Sequence, residues 1–435
     1  MAPQDRNASG APRSGIDTRV GRPITRRGLI GASLAAAGAA AAPAQAGGES
    51  DANLPPAAPQ WQRQSGAEVM SPPYGSPSPF EAKVVRRLRG GIEPATRLAT
   101  TSCTPLQDLV GIVTPNGLHY ERHHAGVPAI DPEQHRLIVH GLVERPMIFS
   151  LDDLTRFPSM SRIHFLECSG NTQNWGAPRP EYTAQDTHGL VSCCEWTGVS
   201  LAVVLAEAGV RAEAKWLLAE GADAAAMTRS IPIEKALDDA ILAYAQNGER
   251  LRPEQGYPLR LLLPGYEGNA SIKWLRRLKL GAAPFETREE TSKYTMVMPD
   301  RTIRQFNFTM EAKSVITYPS GGHRLKQTGF CEISGLAWSG GGKIARIEVS
   351  TDDGLTWRDA ALQEPVLSKC LTRFRLPWRG EGGPAVLASR ATDETGYVQP
   401  SRDALLKLRD ARSYYHYNAI QSWRVAPSGA VTNAG

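Results

Sequence analysis

Cys168 ends an apolar run, Phe165-Leu166-Glu167-Cys168-Ser169-Gly170-Asn171, where the chain turns into small polar residues. A thiol at a strand tip, with little bulk on its Ser-Gly-Asn side, can offer one sulfur to a metal while a large cofactor comes close. The plainer expectation for a free cysteine is burial as a small hydrophobe. Upstream, Leu118-His-Tyr-Glu-Arg-His-His124 holds His119, His123, His124 and Arg122. A fixed guanidinium such as Arg122 holds an oxyanion or a phosphate through a planar fork. Zinc would need carboxylate or cysteine partners at helical spacing, and His123 and His124 point apart on an extended chain. Arg260 stands in Pro258-Leu-Arg-Leu-Leu-Leu263, where apolar flanks imply burial against an anion rather than a surface charge. Asp223 is either a turn residue or a carboxylate that accepts two N–H bonds side by side.

These residues need elements to hold them. Arg162 to Leu166 reads as the strand leading to Cys168, and Arg136–Gly141 as another. Ser150 is placed to cap a short helix through Leu154. Ser200–Gly209 reads as a helix with Ser near its start and Gly past its end. Lys215–Ala219, Leu259–Leu263 and Ile272–Leu280 read as strands. From Ser314 to Val425 short strands and turn signals dominate. Lys343–Ser350 alternates strictly, Thr351–Gly354 turns, and Leu355–Arg358 resumes, a β-hairpin of an all-β sandwich. A link around Thr287–Phe308 separates this part from the mixed α/β part.

The N-terminus reads as an address. Arg26-Arg27, a weakly apolar stretch over Gly28–Ala42 and Ala44-Gln-Ala46 form a twin-arginine signal with a cleavage site. The twin-arginine route carries folded proteins, which suits a chain that receives a cofactor before export. Residues 1–46 hold six Arg and two Asp, so the rest of the chain is close to neutral. Nucleic-acid binding therefore lacks an electrostatic footprint, and no segment has the apolar length of a membrane span. The Pro- and Ala-rich residues 47–103 read as an extended arm lying on a surface, its own or a partner's. None of the six cysteines forms C-x-x-C, so zinc-ribbon, thioredoxin and c-type haem motifs are missing.

The Cys168 loop resembles the molybdenum-ligand loop of the sulfite oxidase family, and the likeness runs over about 300 residues. The Tyr120–His124 segment is similar to the family's aromatic-x-Arg-Asn-His, with His123 where Asn is usual. Gly189–Leu201 and Glu220-Gly-Ala-Asp223 follow its pattern too. The block Ala243–Gly265 follows it almost residue by residue, and Ser271-Ile-Lys-Trp-Leu275 matches its x-V-K-W-L. The resemblance implies a mixed α/β molybdopterin-binding domain over 104–300 and an immunoglobulin-like β-sandwich dimerisation domain over 301–430, an α+β chain overall. It implies a molybdenum–molybdopterin cofactor with Cys168 as its sole protein ligand. Arg122 would orient and neutralise the oxidised sulfur. Tyr120, Arg122, His123, His124, Asp223, Gln255, Arg260, Ser271, Ile272 and Lys273 would hold the cofactor. Gln255 stands where many members have His. The tail Tyr414–Trp423 would return to the active site, with His416 a weak candidate.

Sulfite oxidases usually continue the loop as Cys-x-Gly-Asn-Arg-Arg, whereas this chain has Thr172 and Gln173. One cation fewer would bind a free sulfite dianion less tightly. The pattern looks like the SoxC-type branch, the molybdenum subunits of bacterial sulfane dehydrogenases. That branch oxidises sulfane sulfur on a sulfur-carrier protein (SoxYZ-like) and passes electrons to a c-type cytochrome subunit (SoxD-like). The expectation is a periplasmic homodimer within a heterotetramer, with no haem in this chain. A periplasmic sulfite dehydrogenase is the alternative, and a cofactor-free assembly scaffold the alternative of another class. A methionine sulfoxide reductase of the same family would lack the β-domain.

Overall fold

The computed structural model describes residues 77–89, 96–172, 179–326, 328–410 and 413–435. The signal, the first part of the arm and Gln173 lie outside the described residues.

Two five-stranded sheets build the first half. In one, the order is Glu249–Arg250, Ile241–Gln246, Val191–Ser200 and Ser159–Glu167, with Arg260–Leu262 also paired to Ile241–Gln246. In the other, Met147–Phe149, Leu137–Gly141, Leu275–Gly281, Trp216–Gly221 and Thr228–Pro232 lie side by side. Leu275–Gly281 runs parallel to Leu137–Gly141 and antiparallel to Trp216–Gly221, so this sheet is mixed. Leu137, Val139, Leu217 and Leu278 of the second sheet pack with Val199 and Leu261 of the first and Leu201, Val204 and Leu205 of a helix. These side chains are wholly buried, worth about 1.5–3 kcal/mol each for the apolar ones.

A small sheet joins Arg87–Leu88, Thr101–Cys103 and Glu121–Arg122. It places Arg122. It also lays the described end of the arm on this chain itself: Arg87 Nε donates to Gln185 Oε1 at 2.6 Å and Arg89 Nη1 to Gly170 O at 2.9 Å.

The second half is a β-sandwich. One sheet runs Lys313–Tyr318, Thr328–Trp338, Thr372–Glu381, Ala361–Gln363, and the other Arg358–Asp359, Ile344–Ser350, Ala385–Asp393, Ser422–Val425, Val431–Asn433. Val315, Ile333, Leu336, Ile347, Val349, Phe374, Leu387 and Trp423 fill it. That core continues into Phe165, Val191 and Cys193 of the first half. Across the same seam Cys193 Sγ lies 3.3 Å from Cys370 Sγ, both thiols free and buried.

Several local expectations shift. Ser150 does cap Leu151–Thr155, in a full capping box with Asp153. Ser200 makes no side-chain cap on Leu201–Ala208, because it is also the last residue of the strand Val191–Ser200. Gly209 does end that helix, at φ 72°. Ile272–Trp274 is not strand: Trp274 has φ 53°, and pairing begins at Leu275. After Ser350 the hairpin resumes only at Arg358, since Asp352 bonds Thr356 through N–H and hydroxyl and extends the turn.

Candidate active site

The strand Ser159–Glu167 delivers Cys168 to the edge of a cavity with about 680 Å³ of empty space. Tyr120, Arg122, His123, His124, Cys168, Asp223, Gln255, Arg260, Ser271, Ile272 and Lys273 all line it. These residues come from segments spread over the whole first half. His416 does not line it. It is buried behind the cysteine turn, where its backbone N–H donates to Ser169 O at 2.9 Å and Nε2 meets Glu267 Oε2 at 3.1 Å. The tail does return, but with Tyr414 and Tyr415 at the mouth.

The floor is cationic. Arg260 is 1% exposed and spends Nη1 on Gln255 O at 3.0 Å and Nη2 on Ser271 O at 3.1 Å. Its Nε has no partner among the described residues. Burial pulls this guanidinium down to about 10. Lys273 Nζ sits among Arg122 O, His123 Nδ1 and Glu254 O at 3.0–3.1 Å. Desolvation first, then the neighbouring Arg260, brings it down to about 7. His123 accepts from Lys273 at Nδ1, so its proton sits on Nε2, facing Glu121 Oε2 at 2.9 Å. Burial lowers both His123 and His124, the latter to about 3. Both rings are therefore neutral at pH 7, and His124 Nε2 lies 3.3 Å from Tyr294 Oη. Cys168 is pushed up by burial, so the thiol holds its proton until a metal displaces it.

A molybdopterin fits these residues. Arg260, buried, and Lys273, half-buried, crowd one wall with no ion pair to a carboxylate among the described residues, and an anionic phosphate would relieve both. Among the described residues Asp223 Oδ1 is buried without a partner, as an acceptor awaiting N–H donors would be. Among the described residues, Cys168 and the thioether of Met227 are the sulfurs on the lining.

A second cavity, with about 880 Å³ of empty space, also has Cys168 on its lining and shares Arg122, His124 and Tyr294 with the first. Arg89, Lys293, Tyr414 and Tyr415 also stand on its wall, and no carboxylate lines it among the described residues. Thr172 lines neither cavity. It is buried, at φ 64°, and its Oγ1 faces Lys313 Nζ at 3.5 Å. The expectation of a site with one cation fewer rested on Thr172 and Gln173; Gln173 lies outside the described residues, and Arg89 and Lys293 bring charge to this wall from the arm and the link. No local signal marked those two. Trp274 and Asn269 were within reach of sequence, lying inside or beside the quoted motifs.

Comparison with known proteins agrees with this geometry. The family model described as "Oxidoreductase molybdopterin binding domain" matches residues 124–289, and "Mo-co oxidoreductase dimerisation domain" matches 304–422. The mitochondrial sulfite oxidase of Mus musculus is 32% identical over 321 residues, covering 68% of this chain and 57% of that protein. The sulfite oxidase of Gallus gallus is 32% identical over 313 residues, covering 66% and 68%. The crystal structure of the sulfane dehydrogenase SoxCD from Paracoccus pantotrophus aligns with TM-score 0.83 and 45% identity, over 86% of this chain and 96% of that one. The chain thus spans little more than half the length of the mammalian relatives, but nearly all of the bacterial one.

Proposed function

The chain belongs to the sulfite oxidase family of molybdopterin-binding oxidoreductases, and from that premise we propose that it oxidises sulfane sulfur borne on a carrier protein to a sulfonate. The observation that carries this reading is that Cys168 stands on the lining of both cavities. The inner one suits a pterin and its phosphate. The outer one, walled by cations and tyrosines, is far larger than a sulfite ion needs and has room for a sulfur on the end of a peptide arm. The likeness to a sulfane dehydrogenase supports the same substrate class.

The bound cofactor supplies two-electron redox chemistry and transfer of oxygen drawn from water. The chain does the rest. Cys168 would hold the metal as its thiolate. Arg260 and Lys273 would receive the phosphate, and Asp223 would accept N–H donors of the ring. Arg122, reaching both cavities, holds the anionic sulfur group and neutralises the sulfonate as it forms. Arg89 and Lys293 draw the anion into the mouth. Each oxygen added from water releases two protons and two electrons, and the electrons pass to a separate c-type cytochrome subunit that carries the haem.

The β-sandwich pairs two copies of the chain, within a heterotetramer with the cytochrome. The chain reaches the periplasm folded, by the twin-arginine route. Among the described residues no helix is long and apolar enough to cross a membrane. Replacing Arg26 and Arg27 by Lys should strand a cofactor-loaded precursor in the cytoplasm, and normal arrival would refute the route.

One observation favours a second reading, oxidation of free sulfite: the outer cavity is rich in cations. Steady-state cytochrome reduction decides between them. A thiolated carrier protein should be oxidised fast and free sulfite slowly. Fast oxidation of dilute sulfite, with no response to the carrier, would reverse the choice.

A further inference from the structure

Glu167 immediately precedes Cys168 and is fully buried. Its carboxylate is the meeting point of three donors. Lys313 Nζ donates to Oε1 at 2.7 Å, Trp338 Nε1 to Oε2 at 2.7 Å and Asn171 Nδ2 to Oε1 at 2.9 Å. Lys313 opens the first strand of the β-sandwich and Trp338 closes the second. Both are buried, at 1% and 0% exposure.

Asn171 belongs to the turn that carries the sulfur. Its backbone N–H bonds Cys168 O at 2.8 Å, and its Nδ2 also reaches His188 O at 3.0 Å. Its Oδ1 accepts from Leu190 N at 3.1 Å, while Cys168 N donates to Leu190 O at 3.0 Å. One side-chain amide therefore ties the Glu167 carboxylate to the backbone around Cys168. Lys313 and Trp338 hold the other side of that carboxylate, from the second domain.

A buried ion pair adds little net stability over apolar residues of equal volume, because desolvation cancels much of the attraction. A fully satisfied network does fix geometry, since each member has one arrangement that pairs every polar atom. Groups that orient a metal ligand commonly change metal affinity or activity when lost.

We propose that Lys313 and Trp338 are positioning residues for Cys168. Acting through Glu167 and Asn171, they set the direction of the sulfur, so the β-sandwich shapes the metal site as well as the dimer. This rests on the reading of Cys168 as the molybdenum ligand.

The test uses the holoenzyme and its Lys313→Met, Glu167→Gln/Lys313→Met and Lys313→Arg variants. Lys313→Met alone leaves a buried carboxylate without its cation and should fold poorly. The double variant removes both charges at similar volume and should lose less stability than Lys313→Met, since no charge is left buried alone, although the new amide NH2 faces one of the remaining donors. Bound molybdenum, the thiolate-to-metal charge-transfer absorption and turnover per bound molybdenum are then read. In the double variant the absorption band should shift and turnover per molybdenum fall about tenfold. Lys313→Arg, which keeps the cation, should recover the band. A double variant with an unshifted band overturns the proposal, whatever its stability. A wild-type chain without molybdenum overturns the Cys168 reading, and the positioning role with it.

Discussion

The Arg260 guanidinium lies 4.9 Å from the centre of the Trp196 ring, buried, with both Nη groups spent on backbone carbonyls and Nε unpartnered among the described residues. Such a cation is costly in an empty pocket and gains when an anion arrives.

Arg260→Met should therefore separate fold from cofactor. The metal-free variant should unfold at the same denaturant concentration as the wild type or a higher one. Its cofactor affinity should fall by about 1.5–3 kcal/mol, the range for hydrogen bonds to charged groups. Denaturant titration of the metal-free chain and molybdenum content of the purified chain measure the two effects.

Lys273 predicts a pH dependence. Its folded value is about 7 against an ordinary 10.5, desolvation being the first cause and Arg260 the second. Between those values the unfolded chain holds the proton and the folded chain does not, so raising the pH stabilises the metal-free fold. The gain is absent below about 7 and complete above about 10.5. From pH 7 to 9 the melting temperature of the metal-free wild type should rise relative to Lys273→Met. Loading the cofactor, whose anion restores the proton, should shrink that difference.

How much of this was legible in the sequence depends on range. The strand into Cys168 was visible because an apolar run ends in Ser-Gly-Asn, and the inner cavity because its residues sit in a family block. Trp274 was drawn into a strand because β-prone neighbours hide a left-handed backbone position. The Glu167–Lys313 contact spans 146 positions, and nothing local announces it. Arg89 and Lys293 were equally hidden, since a lone cation in an arm or a link looks like any solvated charge.

Arg89→Gln should weaken the anionic sulfur substrate without touching the metal. KM should rise about fivefold, close to 1 kcal/mol for a charge in a wet mouth, with molybdenum content unchanged. The effect should shrink as salt is added. Steady-state kinetics at two ionic strengths check both points.

Arg229 pairs with Glu290 and Glu267, each contact at 2.8 Å and all three residues buried. Arg229→Met would strand two carboxylates in the interior. The loss should be about 3–5 kcal/mol, read by chemical denaturation.

The central claim is that Cys168 holds a molybdenum on which turnover depends. Molybdenum content and turnover of purified wild type and Cys168→Ser test it most directly. The wild type should carry stoichiometric molybdenum. The Ser variant, nearly isosteric but a harder donor, should stay a folded dimer and lose turnover. Wild-type turnover in that variant, with its molybdenum retained, would contradict the account.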